Sequence, residues 1–212
     1  AAERLMSIPG SGSPLLLAST AAAAAAEYVI PKSLRFNSGD TAYLSRTPST
    51  AGNRRTWTVS FWLKKLKNDS NANFYRIWGQ AEATHLYFYQ DNLHFDISST
   101  TAGSAIGKRW TNQVFRDNSA FFHCVAVCDT TASTASERMR LYINGSEVTS
   151  FGTTTNPSQN AETSVNTTNV HTIGYRTSDQ NSAGGALDAL IADFQFVDGQ
   201  ALAPTDFGET RS

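Results

Sequence analysis

The sequence predicts an all-β protein, an antiparallel two-sheet sandwich of the jelly-roll kind with an alanine-rich arm at its N-terminus. Three observations predict it. Short runs of alternating apolar and polar residues recur from Ser33 onward, separated by turn-forming Asn, Asp, Gly and Ser. No convincing helical period follows Pro31. Charged residues make up only 17% of the chain, while Ser, Thr, Asn and Gly are abundant, which suits turns and polar strand faces rather than long helices.

With 212 residues the chain can bury a substantial core without a disulfide or metal. The formal net charge of −1 argues against nucleic acid as a partner, because phosphate binding calls for a basic excess. We divide the chain into an attachment arm, residues 1–32, and a sandwich domain, residues 33–212.

In the arm, Ser13 and Pro14 make a helix start, and the alanines from Ala21 to Ala26 favour helix until Pro31 ends it. The apolar run is short for a membrane span, so no membrane insertion is expected. It resembles the apolar region of a secretory signal, but "PGSGSP" interrupts the approach and the positive flank is thin. We read it as a retained arm that orders against a neighbouring subunit. Homo-oligomerisation follows as an expectation, since an arm has little to pack on within one domain.

In the body, "TWTVSFWLKK" alternates cleanly and predicts a half-buried strand, with "FYRIWGQ" as the next after the loop "KNDSNAN". "FFHCVAVCD" is apolar on both faces and predicts a central, doubly covered strand. Its Cys124 and Cys128 share a face roughly 13 Å apart, too far for a mutual disulfide, and read as small buried apolar residues. Asn144-Gly145 in "RMRLYINGSEV" is a strong two-residue hairpin signal. The lysines Lys64, Lys65 and Lys67 are expected to keep a strand edge and loop soluble. Asn68, Asn144 and Asn166 stand in N-x-S/T triplets, which arise by chance in so Asn-, Ser- and Thr-rich a chain.

"HLYFYQDNLHFDIS" predicts a hairpin turning at Asp91-Asn92, which pairs Tyr89 with His94, Phe88 with Phe95 and Tyr87 with Asp96. Leu86, Phe88, Phe95 and Ile97 then face the core. His85, Tyr87, Tyr89, His94 and Asp96 share the other side and are the candidate carbohydrate-binding residues, because aromatic rings stack on the apolar faces of sugars while polar groups fix hydroxyls. Zinc from His85 and His94 lacks a third ligand, so no metal site is expected.

The blocks "SLRFNSGDTAYLSRTPSTAGNRRTWTVSFWLKK", "FRDNSAFFHCVAVCDTT", "RMRLYINGSEV" and "LIADFQFVDGQALAPTDFG" together resemble, in the same order, the concanavalin A-like, laminin-G-like jelly-roll domains of bacteriophage tail-fibre and other virion proteins. The resemblance runs from about Ser33 to Gly208 and leaves the arm outside. It implies a two-sheet jelly roll of at most about fourteen strands and a binding or structural role in a virion, at the capsid or tail surface. The partners it implies are other virion proteins through the arm and a host surface glycan. Some laminin-G domains bind calcium at a rim; no calcium ligand is assigned here, and no cofactor is expected.

The same superfold hosts glucanases, whose acidic residues alternate along one strand so that two carboxyl groups flank a glycosidic bond. Here Asp193 shares its expected face with Gln195 and Val197, while Asp188 and Asp198 fall on the parity of Ala192, Phe194 and Phe196, which are expected inward. His123 and Cys124, as neighbours on a strand, face opposite ways. No catalytic residue is therefore assigned, and the chain is expected not to be an enzyme. Asp198-Gly199 fits a turn, and Pro204 to Gly208 a structured exit.

Overall fold

The computed structural model describes residues 30–68, 73–80, 83–99, 104–175 and 186–208. The helix expected around residues 13–31 therefore lies outside the described residues, apart from Ile30 and Pro31.

Thirteen strands are described. They are β1 (Leu34–Phe36), β2 (Leu44–Arg46), β3 (Thr56–Lys65), β4 (Phe74–Gln80), β5 (Thr84–Tyr89), β6 (Asn92–Ser98), β7 (Ala105–Val114), β8 (Phe122–Asp129), β9 (Met139–Ile143), β10 (Ser146–Glu147), β11 (Phe151–Thr155), β12 (His171–Ile173) and β13 (Ala189–Asp198). One sheet has the order β1-β13-β3-β8-β9-β10 and the other β11-β7-β6-β5-β4-β12-β2, and every described pairing is antiparallel. The chain crosses between sheets at both edges, from β1 to β2 and from β10 to β11. These short connections hold the edges of the two sheets together, which is the expected jelly-roll sandwich.

Alternation along β3 turns Trp57, Val59, Phe61 and Leu63 inward, all fully buried. Trp57 ties the layers together: its ring lies 5.6 Å from Trp78 and 5.9 Å from Phe95 on the opposite sheet, and its indole N–H donates to Thr163 Oγ1 at 3.2 Å. β8 is covered on both faces, as its sequence implies. Cys124, Ala126 and Cys128 join the core, while Val125 and Val127 lie under Ala201 and Phe207 of the exit segment. That segment is pinned by Thr58, whose hydroxyl donates to Gln200 O and accepts from Leu202 N. The cysteines are unpaired, and burial pushes both thiols far up, so they behave as apolar residues.

Three local expectations need correction. The β5–β6 turn is Gln90-Asp91, not Asp91-Asn92; both residues have positive φ, 50° and 63°, and Tyr89 pairs with Asn92, Tyr87 with His94 and His85 with Asp96. The partners are displaced by two residues, which preserves parity, so each side chain keeps its expected face. Asn favours positive φ more than Gln does, but Asp91 is drawn into the protein by Lys65 and Arg116. Lys65 itself is not a soluble edge residue. It continues the inward row of β3 and is buried. Finally, β13 carries a bulge between Ala192 and Gln195, with Asp193 at φ 46°. One extra residue reverses the parity, so Ala189 and Ile191 face the core before it and Phe194 and Phe196 after it. Ala192 is thus displaced from the inward row.

Candidate functional site

The outer face of the seven-stranded sheet is a grid set by register. One row runs Phe74, Tyr89, Asn92 and Val114 across β4, β5, β6 and β7. The next runs Arg76, Tyr87, His94, Trp110 and Thr153, ending on β11. The third runs Gly79, His85, Asp96, Lys108 and Thr155. All five candidate residues from the sequence, His85, Tyr87, Tyr89, His94 and Asp96, stand on this face. The structure adds Phe74, Arg76, Lys108 and Trp110. Strand parity could have offered these four, but only cross-strand register brings them beside the hairpin. A bulge in β4 between Arg76 and Trp78 lets Arg76 face outward while Trp78 points into the core.

The face is wired together. Tyr87 Oη donates to Asp96 Oδ2 at 2.9 Å, and Trp110 Nε1 donates to Asp96 Oδ1 at 2.6 Å. Because Tyr87 gives its one proton to Asp96, the 3.2 Å contact with His94 Nδ1 is served by a proton on the histidine. The His94 ring stacks on Trp110 at 4.6 Å, and Phe74 stacks on Tyr89 at 5.0 Å. The Arg76 guanidinium lies over the rings of Tyr87 and Phe74, and Lys108 Nζ over Trp110. At Gly79 a Cβ would come within 2.4 Å of Thr84 O and 2.8 Å of His85 Cδ2, so glycine lets the β5 backbone and the imidazole lie close to β4.

Burial sorts these side chains. His85, Tyr87 and His94 are 7%, 4% and 6% exposed, so they brace the face more than they present atoms to it. Phe74 is 43% exposed, and Tyr89, Asp96, Lys108 and Trp110 are half-buried. Burial, helped by the positive charge of Arg76, lowers the His94 pKa to about 4, so the ring is neutral at ordinary pH. Burial pushes the Asp96 carboxyl up, against the two hydrogen bonds that favour its charged form. Burial raises the Tyr87 hydroxyl well above its usual range, with the neighbouring Asp96 adding to the effect. The surface is therefore an aromatic shelf with one hydrogen-bonded carboxyl group and flanking cations.

A two-sheet jelly roll with such a shelf is a lectin-like architecture. The model of the Laminin_G_3 family, described as the concanavalin A-like lectin/glucanases superfamily, matches residues 37–206, and the chain belongs to this family. No curated protein matches the chain. Among solved structures it is similar to domains LG4-5 of the mouse laminin alpha1 chain, with TM-score 0.56 and 12% identity over 82% of this chain and 44% of that one. It is also similar to the heptameric SAP-like pentraxin of Limulus polyphemus, with TM-score 0.51 and 18% identity over 76% and 71%. The binding domain of botulinum neurotoxin serotype D gives TM-score 0.53 and 16% identity over 82% and 40%. At these identities the likeness is one of fold.

Proposed function

We propose that this chain is a non-enzymatic glycan-recognition module of a virion, displayed at a capsid or tail surface and directed at host surface carbohydrate. One observation carries the carbohydrate reading: the exposed Phe74 ring stacked on Tyr89, in a grid that continues to Trp110 and the Asp96 carboxyl group. Aromatic faces take the apolar faces of pyranose rings, and a fixed carboxylate with a nearby cation selects among hydroxyls. The family, which contains lectins, agrees with this class of ligand. The virion setting is supported by the ordered blocks that resemble phage fibre domains.

The non-enzymatic reading is supported by the acids of the stretch 190–208, which serve structural ends. Asp198 accepts from Asn53 and Asn166, and Asp206 accepts from Ala203 N. Asp193 sits in the bulge, where Gln195 donates to it. The test is a glycan array probed with the wild-type protein and with Phe74→Ala and Trp110→Ala variants. Binding that both substitutions weaken supports the proposal. Binding to no glycan, binding unchanged in both variants, or release of new reducing or unsaturated ends from envelope polysaccharide would overturn it.

A further inference from the structure

Past the bulge, β13 has no partner on its β1 side among the described residues. β1 pairs with β13 only over Ala189–Ile191, so among the described residues no strand lies beside Phe194–Asp198 on that side. Segment 48–52 passes there instead, with β12 and β2 of the other sheet opposite. The space between is a cleft of about 620 Å³, lined among others by Arg46, Trp78, His171, Phe194, Phe196 and Asp198. Its size falls in the range of small-ligand sites, roughly 300–1,000 Å³.

Its floor is aromatic. Phe194 stacks on Phe61 at 5.8 Å, and Phe196 lies 5.8 Å from Trp78, so both rings are held by the core. Its polar groups divide into those already engaged and those open. His171 Nε2 accepts from Asn166 N at 3.1 Å, and its Nδ1 meets Asn169 O at 2.9 Å, so both nitrogens are used. The Asn166 side chain donates to Asp198 Oδ1 and Asn53 O, and its backbone oxygen accepts from Gly52 N. Two charged groups remain open. Asp198 Oδ2 takes no side-chain hydrogen bond among the described residues, and Arg46 makes neither an ion pair nor a side-chain hydrogen bond among them. A Cβ at residue 52 would lie 2.2 Å from Asn166 Nδ2 and 2.4 Å from Asp198 Oδ2, so glycine makes room there for the Asn166–Asp198 pair.

We propose that this cleft is a second ligand site, separate from the outer-face shelf, and that it takes the ring of an acidic sugar, a hexuronate. The ring lies on Phe194 and Phe196, its carboxylate meets Arg46, and its hydroxyls donate to Asp198 Oδ2. A neutral sugar would leave the guanidinium unused. A plain carboxylic acid would leave Asp198 without donors. An acidic sugar engages both.

The test is titration of the full chain with methyl glucuronide, methyl glucoside and cyclohexanecarboxylate, followed by amide NMR and calorimetry. The glucuronide should shift amides around Ser45, Gly52, His171 and Asp198, and bind roughly tenfold or more tightly than either control, as expected for hydrogen bonds to a charged group. Arg46→Ala should erase the preference over the glucoside while melting normally. Phe74→Ala, on the other face, should leave it intact, so failure here is distinguishable from failure of the shelf. No shift at these amides, equal affinity for glucuronide and glucoside, or an unchanged preference in Arg46→Ala would overturn the proposal.

Discussion

Lys65 Nζ, on the last residue of β3, lies 2.5 Å from the Asp91 carboxylate, with side-chain exposures of only 4% and 3%. The ammonium also donates to Phe115 O at 2.8 Å and sits 4.7 Å from the Phe88 ring centroid, while Arg116 reaches the other Asp91 oxygen at 3.1 Å. This cluster closes one end of the hydrophobic core and fixes the β5–β6 turn.

Removing one partner of such a pair leaves a buried charge without its counterpart. Lys65→Ala should therefore destabilise the fold by about 3–5 kcal/mol, somewhat less where Arg116 compensates. Lys65→Met combined with Asp91→Asn, which keeps a residue tolerant of the left-handed backbone at φ 63°, should recover part of that loss. Denaturant midpoints of the three proteins check this, and equal stability of Lys65→Ala and wild type would refute it.

The buried His94 predicts acid sensitivity. Its pKa falls from 6.5 when unfolded to about 4 when folded. The unfolded chain therefore binds a proton across that interval while the folded one does not. This contribution is complete above pH 6.5 and is lost as pH falls toward 4, on the order of 2–3 kcal/mol. His123 and His171 are also lowered, by burial first, and act in the same direction. Melting temperature should drop between pH 6.5 and 4, and His94→Phe, which keeps a ring against Trp110, should flatten the slope.

Asn166 joins three segments by its side chain and backbone and holds φ 63°. Asn166→Ala should cost about 1–3 kcal/mol through the lost hydrogen bonds, with further strain from the left-handed backbone. Asn166→Gly relieves the strain but not the hydrogen bonds, so it should fall between Ala and wild type. An order of stability with Gly below Ala would contradict this account. The same engagement makes Asn166 a poor glycosylation acceptor, whatever its triplet suggests.

Phe74 is exposed and stacks on Tyr89 above the sheet. Phe74→Ala should leave stability within about 1 kcal/mol while lowering glycan affinity roughly tenfold. Parallel melting and array measurements separate the two effects.

If residues 1–32 act as an assembly arm, the 212-residue chain should show a larger solution mass per particle than a chain starting at Ser33. Light scattering of both forms decides it. Identical monomers in the two cases would count against the arm.

Much of the molecule was legible in the chain itself. Period-two alternation named most strands, Asn144-Gly145 gave its hairpin with φ of 49° and 79°, and apolar residues on both parities of β8 implied cover on both faces. Such patterns are local, and burial acts on them one strand at a time. The shared face of His85, Tyr87, Tyr89, His94 and Asp96 was likewise legible, because a two-residue displacement preserves parity. What only the tertiary structure decided depends on partners far away in sequence. It placed Phe74, Arg76, Lys108 and Trp110 beside that hairpin and pulled the turn to Gln90-Asp91 through Lys65. It also inserted the β13 bulge, which takes Ala192 out of the inward row that parity gave it with Phe194 and Phe196. Each of these depends on contacts between strands remote in sequence, and no period along a single strand carries that information.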